Sequence, residues 1–298
     1  MSPQEAYEAV RAGFVAHARG EWTMQPKLYV TNYPAGDFRA MPALGGGHAL
    51  LKWVTSFPGN PALGLPTVTG LVVLNDAETG MLEAVLDAGA VTALRTGAAA
   101  VLAAATLGHG GSIAVVGCGV NGAAVARTFA ALGLVASVWD LDAERAAAVA
   151  AGVGARVAAS REEALAADVV VTVTPGKEIL FPGGSLRPGQ HVSLMGADGP
   201  GKAEIAVEEI ARARLFCDDW EQGGAKGTGD IGQGVAAGLI TREQVSTLGD
   251  VLTGKAEGRR SVEDITLFDS TGLAIQDLAI AIAAYARAGE LDLPTIDL

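Results

Sequence analysis

Three glycines, at 117, 119 and 122, follow a short apolar run, Ile113 to Val116, and precede an alanine-rich segment, Ala123 to Leu132. That order reads as a buried parallel strand, a tight turn and a helix N-terminus. Gly117 permits the turn, Gly119 lets backbone approach a pyrophosphate, and Gly122 allows helix and strand to pack closely. Val120 and Asn121 place their N–H groups at the positive end of the helix dipole, where phosphate oxygens bind. Ser137-Val-Trp-Asp140 closes a second strand with a carboxylate eighteen residues after Gly122, where an acceptor for a ribose 2′-hydroxyl belongs. The cofactor expected is NAD. Asp140 favours NADH over NADPH because a carboxylate repels a 2′-phosphate; Asp142 adds to the repulsion, and no Arg or Lys follows until Arg145.

Two cations and an acid have settings suited to proton chemistry on a small carboxylate. Arg39, in Phe38-Arg-Ala-Met-Pro42, can clamp a carboxylate through two parallel N–H bonds or make a surface ion pair. Lys52 lies between Leu51 and Trp53. An apolar setting depresses an ammonium pKa towards a useful range, although a lysine can equally snorkel along such a surface. Asp198 sits in a glycine-rich turn after the run His191 to Met195. Loops at the carboxyl ends of parallel strands face the ligand crevice, while Asp before Gly-Pro is also ordinary turn chemistry.

These residues need two kinds of scaffold. From Ile113 onward, strands and helices alternate: helix 142–151, strand 156–158, helix 161–167, strands 169–173 and 191–195, helix 204–212, and strands 215–217 and 265–268. This is the rhythm of a Rossmann-type, doubly wound parallel sheet. Gly223 to Gly238 reads as a mobile loop or a close-packed connection, and its Gly224-Ala-Lys226-Gly-Thr228 lacks the spacing of a phosphate loop. Ahead of the glycine turn, Gln4 to Arg19 has helical periodicity. Residues 27–86 break into short β-rich runs (28–30, 50–54, 68–74) between turns, which suggests an antiparallel sheet. Ala93 to Leu107 is an alanine-rich helix stopped by the glycines at 108, 110 and 111. The apolar helix 274–288 needs a partner face and is expected to return to the first domain. The fold expected is α/β. A dinucleotide domain, 109–275, interrupts a discontinuous α+β domain made of 1–108 and 276–298.

Composition excludes several roles. The 298 residues suffice for two domains. A net charge of −12 argues against nucleic acid or an anionic membrane as partner, while local Lys and Arg can still hold a small anion. The opening MSPQEAYEAV is unlike a signal peptide, and no run of eighteen apolar residues lacks charges or helix breakers. Cys118 and Cys217 are too few for a disulfide framework and read as reduced thiols in cytoplasm. The four histidines are isolated from one another, so no metal site is expected.

Several blocks together resemble the ornithine cyclodeaminase/μ-crystallin family, and within it the archaeal-type alanine dehydrogenase branch. They are Phe38-Arg-Ala-Met-Pro42, Leu51-Lys-Trp53 with Pro58-Gly-Asn60, Gly64-Leu-Pro66, Thr92-Ala-Leu-Arg-Thr-Gly97, Gly196-Ala-Asp-Gly-Pro-Gly-Lys202, Asp218-Asp219 with Glu221-Gln222, and Phe268-Asp-Ser-Thr-Gly272. The likeness runs in order from Ser2 to Arg287. It implies an NAD(P)-binding domain, a substrate domain built from both chain ends, and a homodimer formed through that second domain. It places Arg39 and Lys52 in the active site and matches Asp198 to a catalytic aspartate of the cyclodeaminases. Lys27 stands where an arginine binds the substrate carboxylate, and Arg95 matches an arginine that holds substrate or cofactor phosphates. Thr96, Thr174, Ser270 and Gly272 join the glycine turn as cofactor-binding positions. Two positions depart from the pattern. Cyclodeaminases carry a glutamate where Arg39 stands, available to the distal ammonium of ornithine, so a cationic substrate tail is disfavoured here. Asp230 stands where the family usually has glutamate.

The expected function is NAD-dependent interconversion of a small, alanine-like L-amino acid with its 2-oxo acid and ammonia. Arg39 would hold the carboxylate, Lys52 would act as acid and base, and Asp198 would assist proton transfer. One alternative is an imine or ketimine reductase, including one for a dicarboxylic imino acid, for which Lys27, Arg39 and Lys52 together offer enough positive charge. Another is a non-catalytic, μ-crystallin-like ligand-binding protein, against which the joint retention of Arg39, Lys52 and Asp198 argues.

Overall fold

A computed structural model describes residues 1–295 apart from Asp198 and Pro200. Two compact units emerge, Met1–Arg95 with the chain from Ala274 onward, and Thr96–Leu273.

The first unit begins with α1 (Pro3–Ala18), entered through a capping box in which Ser2 and Glu5 bond each other's backbone N–H reciprocally. Six strands follow: β1 (Thr23–Met24), β2 (Leu28–Asn32), β3 (Gly36–Gly45), β4 (His48–Ser56), β5 (Val68–Asp76) and β6 (Leu82–Asp87). They form an antiparallel sheet in the order β1-β3-β4-β5-β6, with β2 also pairing β3. The longest strand, β3, was not legible in the sequence because Pro42 sits inside it. Proline lacks a ladder donor. It is tolerated because β2 pairs β3 only as far as Ala40 and β1 begins at Ala43, so Pro42 faces the gap between them.

Alternation along β4 buries Leu50, Lys52 and Val54 and exposes Leu51 and Trp53. The buried face is covered by α9 (Ala274–Tyr285), which packs on α1, β3 and β4. At the α1–α9 contact, a Cβ added to Gly13 would lie 3.2 Å from that of Ala279.

Helix α2 (Ala88–Leu107) starts five residues earlier than its alanine pattern suggests, because Asp87 Oδ1 accepts the Ala90 N–H at 2.6 Å and caps the added turn. It is long and apolar enough to cross a membrane, and its burial inside the fold accounts for that composition.

The second unit contains β7 (Ile113–Val116), α3 (Val120–Ala131), β8 (Ala136–Trp139), α4 (Ala143–Val153), β9 (Arg156–Val157), α5 (Arg161–Leu165), β10 (Val169–Thr172), β11 (His191–Leu194), α6 (Val207–Ile210), β12 (Arg214–Cys217), α7 (Gly229–Ala236), β13 (Val245–Thr247), α8 (Leu248–Leu252) and β14 (Thr266–Asp269). Its eight strands are all parallel, in the order β13-β12-β14-β11-β10-β7-β8-β9. The order reverses between β7 and β10, the switch point at which doubly wound sheets bind ligands.

Two expectations need correction here. The glycine-rich stretch 223–238 is neither loop nor linker throughout: residues 229–236 form α7, with Asp230 and Ile231 buried. The helix expected over 204–212 is confined to four residues, because Glu204 and Ile205 are pinned as extended chain beside Leu180 and Phe181. The units divide within α2, at Arg95/Thr96, and again at Leu273/Ala274. Gly97 lets the later part of α2 press on α3.

A Cβ at Gly97 would lie 2.8 Å from the carbonyl carbon and oxygen of Ala124. Those are backbone atoms and cannot rotate away. Gly97→Ala should therefore destabilise the protein by about 1–3 kcal/mol, an overpacking cost read as a lower urea midpoint. An unchanged midpoint would mean that the helices separate freely.

Candidate active site

Within the second unit the glycine turn builds an anion cradle. Gly117 has φ +99, and its N–H donates to the Trp139 carbonyl at 2.8 Å. A Cβ on Gly122 would lie 1.8 Å from the Gly117 oxygen, whereas one on Gly119 would meet nothing within 4 Å. No side chain caps α3 at Gly119. The N–H groups of Val120, Asn121 and Gly122 are thus presented at an uncapped helix end beside open space, which suits a phosphate. Asp140 has two tasks. Its Oδ2 accepts the Cys118 N–H at 2.6 Å and its Oδ1 accepts the Asp142 N–H at 2.8 Å, so it braces the turn besides standing where a ribose would be read. The Cys118 thiol is buried and pushed up to about 11, first by desolvation and then by Asp140, consistent with an inert residue.

The remaining positions expected to meet a cofactor lie on loops after strands of the same unit or on α2. Ser270 Oγ and the Gly272 N–H both donate to Asp218 Oδ2, at 2.8 and 2.7 Å. That loop therefore offers a ligand its backbone more than its serine hydroxyl. Thr174 Oγ1 likewise donates to a buried carboxylate, Glu204 Oε1, at 2.6 Å. Thr96 is different: its hydroxyl is buried without a hydrogen-bond partner. An orphaned buried hydroxyl and an uncapped glycine-lined helix end fit a dinucleotide.

In the first unit the cations converge on the inner sheet face. Lys52 on β4 lies opposite Met41 on β3, and Arg39 lies opposite Val54, so the two bases are diagonal neighbours on one face. Arg39 is held by Asp37, Nε to Oδ1 at 2.6 Å and Nη2 to Oδ2 at 3.3 Å, with its guanidinium 5.4 Å from the centre of the Tyr29 ring. Lys27 is buried immediately before β2. Asp37 thus holds the Arg39 guanidinium in place on this face.

Lys52 is 1% exposed and donates to Asp277 Oδ1 at 2.8 Å. Arg95 Nε approaches the same oxygen at 3.4 Å, and Arg95 Nη1 donates to Gln276 Oε1. Asp277 Oδ2 is buried without a hydrogen-bond partner. Burial pushes the Lys52 ammonium down from 10.5 to about 8, against the pull of Asp277 and with added repulsion from Arg95 and Arg39. A lysine in that range can hold or release a proton near neutrality. Sequence reading missed Asp277. The signal was a lone acid in an otherwise apolar helix, which can be buried only beside a cation. Asp198 lies outside the described residues.

The family model described as "Ornithine cyclodeaminase/mu-crystallin family" matches residues 1–291. An alanine dehydrogenase of Archaeoglobus fulgidus is 42% identical over 298 residues, spanning 97% of this chain and 91% of that protein. An iminosuccinate reductase of Paracoccus denitrificans is 33% identical, spanning 97% and 93%. Among solved structures, an archaeal alanine dehydrogenase dimer with bound NAD superposes with a TM-score of 0.92 at 40% identity, covering 99% of this chain and 94% of that one.

The lowered Lys52 pKa has a consequence for stability. Between about pH 8 and 10.5 the folded state binds fewer protons than the unfolded state, so stability should rise with pH across that window. Urea denaturation of wild type and Lys52→Met at about pH 7.5 and about pH 10 checks this, with wild type expected to gain relative to the variant. Equal responses would show that Lys52 titrates normally.

Proposed function

Because the chain belongs to the ornithine cyclodeaminase/mu-crystallin family, we propose that it is an NAD-dependent oxidoreductase interconverting a small L-amino acid such as alanine with its 2-oxo acid and ammonia. The observation that carries this reading is Lys52, a fully buried base whose proton affinity is lowered by burial against the pull of Asp277 and which shares its sheet face with Arg39. Arg39, already oriented by Asp37, binds the substrate carboxylate, and Lys27 and Arg95 add to the positive field. When bound, the dinucleotide supplies or accepts the hydride at nicotinamide C4. In its charged form Lys52 polarises the carbonyl oxygen and gives the proton that the amino group needs to depart as ammonia, and in its neutral form it takes the proton released when ammonia attacks. Asp277 keeps the lysine in one position through both forms. Asp198 is assigned to assist proton transfer on family resemblance alone. Positioning and electrostatics supply the rate. Asp140, at the end of β8, selects NADH over NADPH because its carboxylate would repel a 2′-phosphate.

One observation favours a second reading. Among the described residues, the first unit buries Lys27, Arg39 and Lys52, with Arg95 beside Asp277. Several buried cations in one unit suit a dicarboxylic imino acid.

The protein acts as a cytoplasmic homodimer through the outer face of its antiparallel sheet. Leu28, Val30, Leu51, Trp53, Leu71 and Val85 are exposed there, with Trp53 directly opposite Leu71. A continuous apolar face of this kind marks an association surface. The archaeal alanine dehydrogenase that it resembles is a dimer.

NADH oxidation with pyruvate plus ammonia, oxaloacetate plus ammonia, and a cyclic imine separates the readings, with NADPH and ornithine as further arms. Pyruvate plus ammonia with NADH should give the highest kcat/KM, and Lys52→Ala should lower kcat by about 100-fold or more. A preference for oxaloacetate would favour the second reading, and efficient formation of proline from ornithine would sink both. For the assembly, Leu71→Asp should yield monomers by light scattering, whereas an unchanged dimer mass would remove this face from the interface.

A further inference from the structure

Glu204 has no exposure and is part of no ion pair among the described residues, yet four donors converge on its carboxylate. Oε2 accepts the Thr172 hydroxyl at 2.7 Å and the Gly196 N–H at 2.8 Å. Oε1 accepts the Thr174 hydroxyl at 2.6 Å and the Thr174 N–H at 3.3 Å. One carboxylate therefore joins the loop leaving β10 to the loop leaving β11. The loops are packed as tightly as they are bonded. A Cβ on Gly196 would lie 2.4 Å from the Thr174 carbonyl oxygen and 2.5 Å from Glu204 Oε1, and one on Gly176 would lie 2.9 Å from the Gly196 oxygen. The carboxylate is itself fixed. The Glu204 N–H donates to Asp230 Oδ1 at 2.8 Å, and its carbonyl accepts the Leu180 N–H at 2.7 Å.

Desolvating a carboxylate without a cation is costly, and four donors offset that cost only while both loops keep their places. In a doubly wound sheet the first three strands serve the adenosine half of a dinucleotide and the later ones the nicotinamide half. Strands β10 and β11 belong to the later set. We propose that Glu204 is a positioning residue for the nicotinamide half of the cofactor, locking Thr174 to Gly176, after β10, and Gly196, after β11, into one preformed arrangement. Its hold on the Thr174 hydroxyl also fixes direction. The proton points at Glu204 while the oxygen accepts the Gly176 N–H at 3.1 Å, so this loop addresses a ligand through backbone. Glutamine is a poor substitute because its amide nitrogen would face either the Gly196 or the Thr174 N–H, donor against donor.

The proposal rests on the dinucleotide reading, and its test separates the two. Binding of NADH and of ADP-ribose, which lacks the nicotinamide, is measured by calorimetry for wild type, Glu204→Gln and Thr172→Val. Glu204→Gln should weaken NADH about tenfold and leave ADP-ribose within about twofold, as expected for losing a charged hydrogen bond at one half of the ligand only. Thr172→Val is nearly isosteric, removes a single donor to Glu204, and should weaken NADH about threefold with ADP-ribose unchanged, which keeps the test open should the glutamine variant misfold. A merely structural role would weaken both ligands alike or neither, and either result overturns the proposal. Wild type that binds no NADH overturns the dinucleotide reading itself.

Discussion

A carboxylate at zero exposure inside an apolar helix can persist only beside a cation, and Asp277 finds two, Lys52 and Arg95. This requirement draws α9 back onto a sheet formed more than two hundred residues earlier in the chain. The same requirement sets the chemistry. Removing Asp277 would leave Lys52 buried without its carboxylate, at about 3–5 kcal/mol. What the pair gives the protein is a lysine whose proton is loosely held in a place that water does not reach. Apolar replacements would fill the space as well and hold the helix as firmly, but they would carry no proton.

The two units handle buried charge in opposite ways. In the first, buried cations stand beside carboxylates, Arg39 by Asp37 and Lys52 with Arg95 by Asp277. In the second, Glu204, Asp218, Asp230 and Asp269 are all buried near the carboxyl ends of the parallel strands, where they accept backbone N–H groups from neighbouring segments. Burial and mutual repulsion raise Asp230 to about 7 and Asp269 well above the usual carboxylate range. These acids work as struts between loops. A net charge of −12 conveys none of this, because sign is arranged locally.

Much of the parallel sheet was legible in the sequence, since its strands are short apolar runs bounded by glycine and its helices are rich in alanine. The glycine turn and Asp140 were legible because a pyrophosphate constrains spacing along a single stretch of chain. The antiparallel sheet was harder. Pro42 disguises β3, and only the pairing of two other strands explains why a proline is harmless there. Lys52 and Arg39 stood out by residue type, but their partners did not. Asp37 changes the meaning of Arg39 from two residues away, and Asp277 changes that of Lys52 from across the chain. Glu204 was invisible for a similar reason, as its donors come from two loops and a strand. Periodicity reports which face is buried. It does not report what a buried charge will meet.

The discontinuity of the first unit also dictates an order of events during synthesis. Strands β1 to β6 and α1 leave the ribosome early, but the face that carries Lys52 has no cover until residues 274–285 follow. The second unit, by contrast, is continuous in sequence and can close on its own hydrophobic core as soon as β14 is complete. The unit encoded first is therefore finished last. Until residues 274–285 have been made, the face that carries Lys52 lacks both its cover and its matching acid.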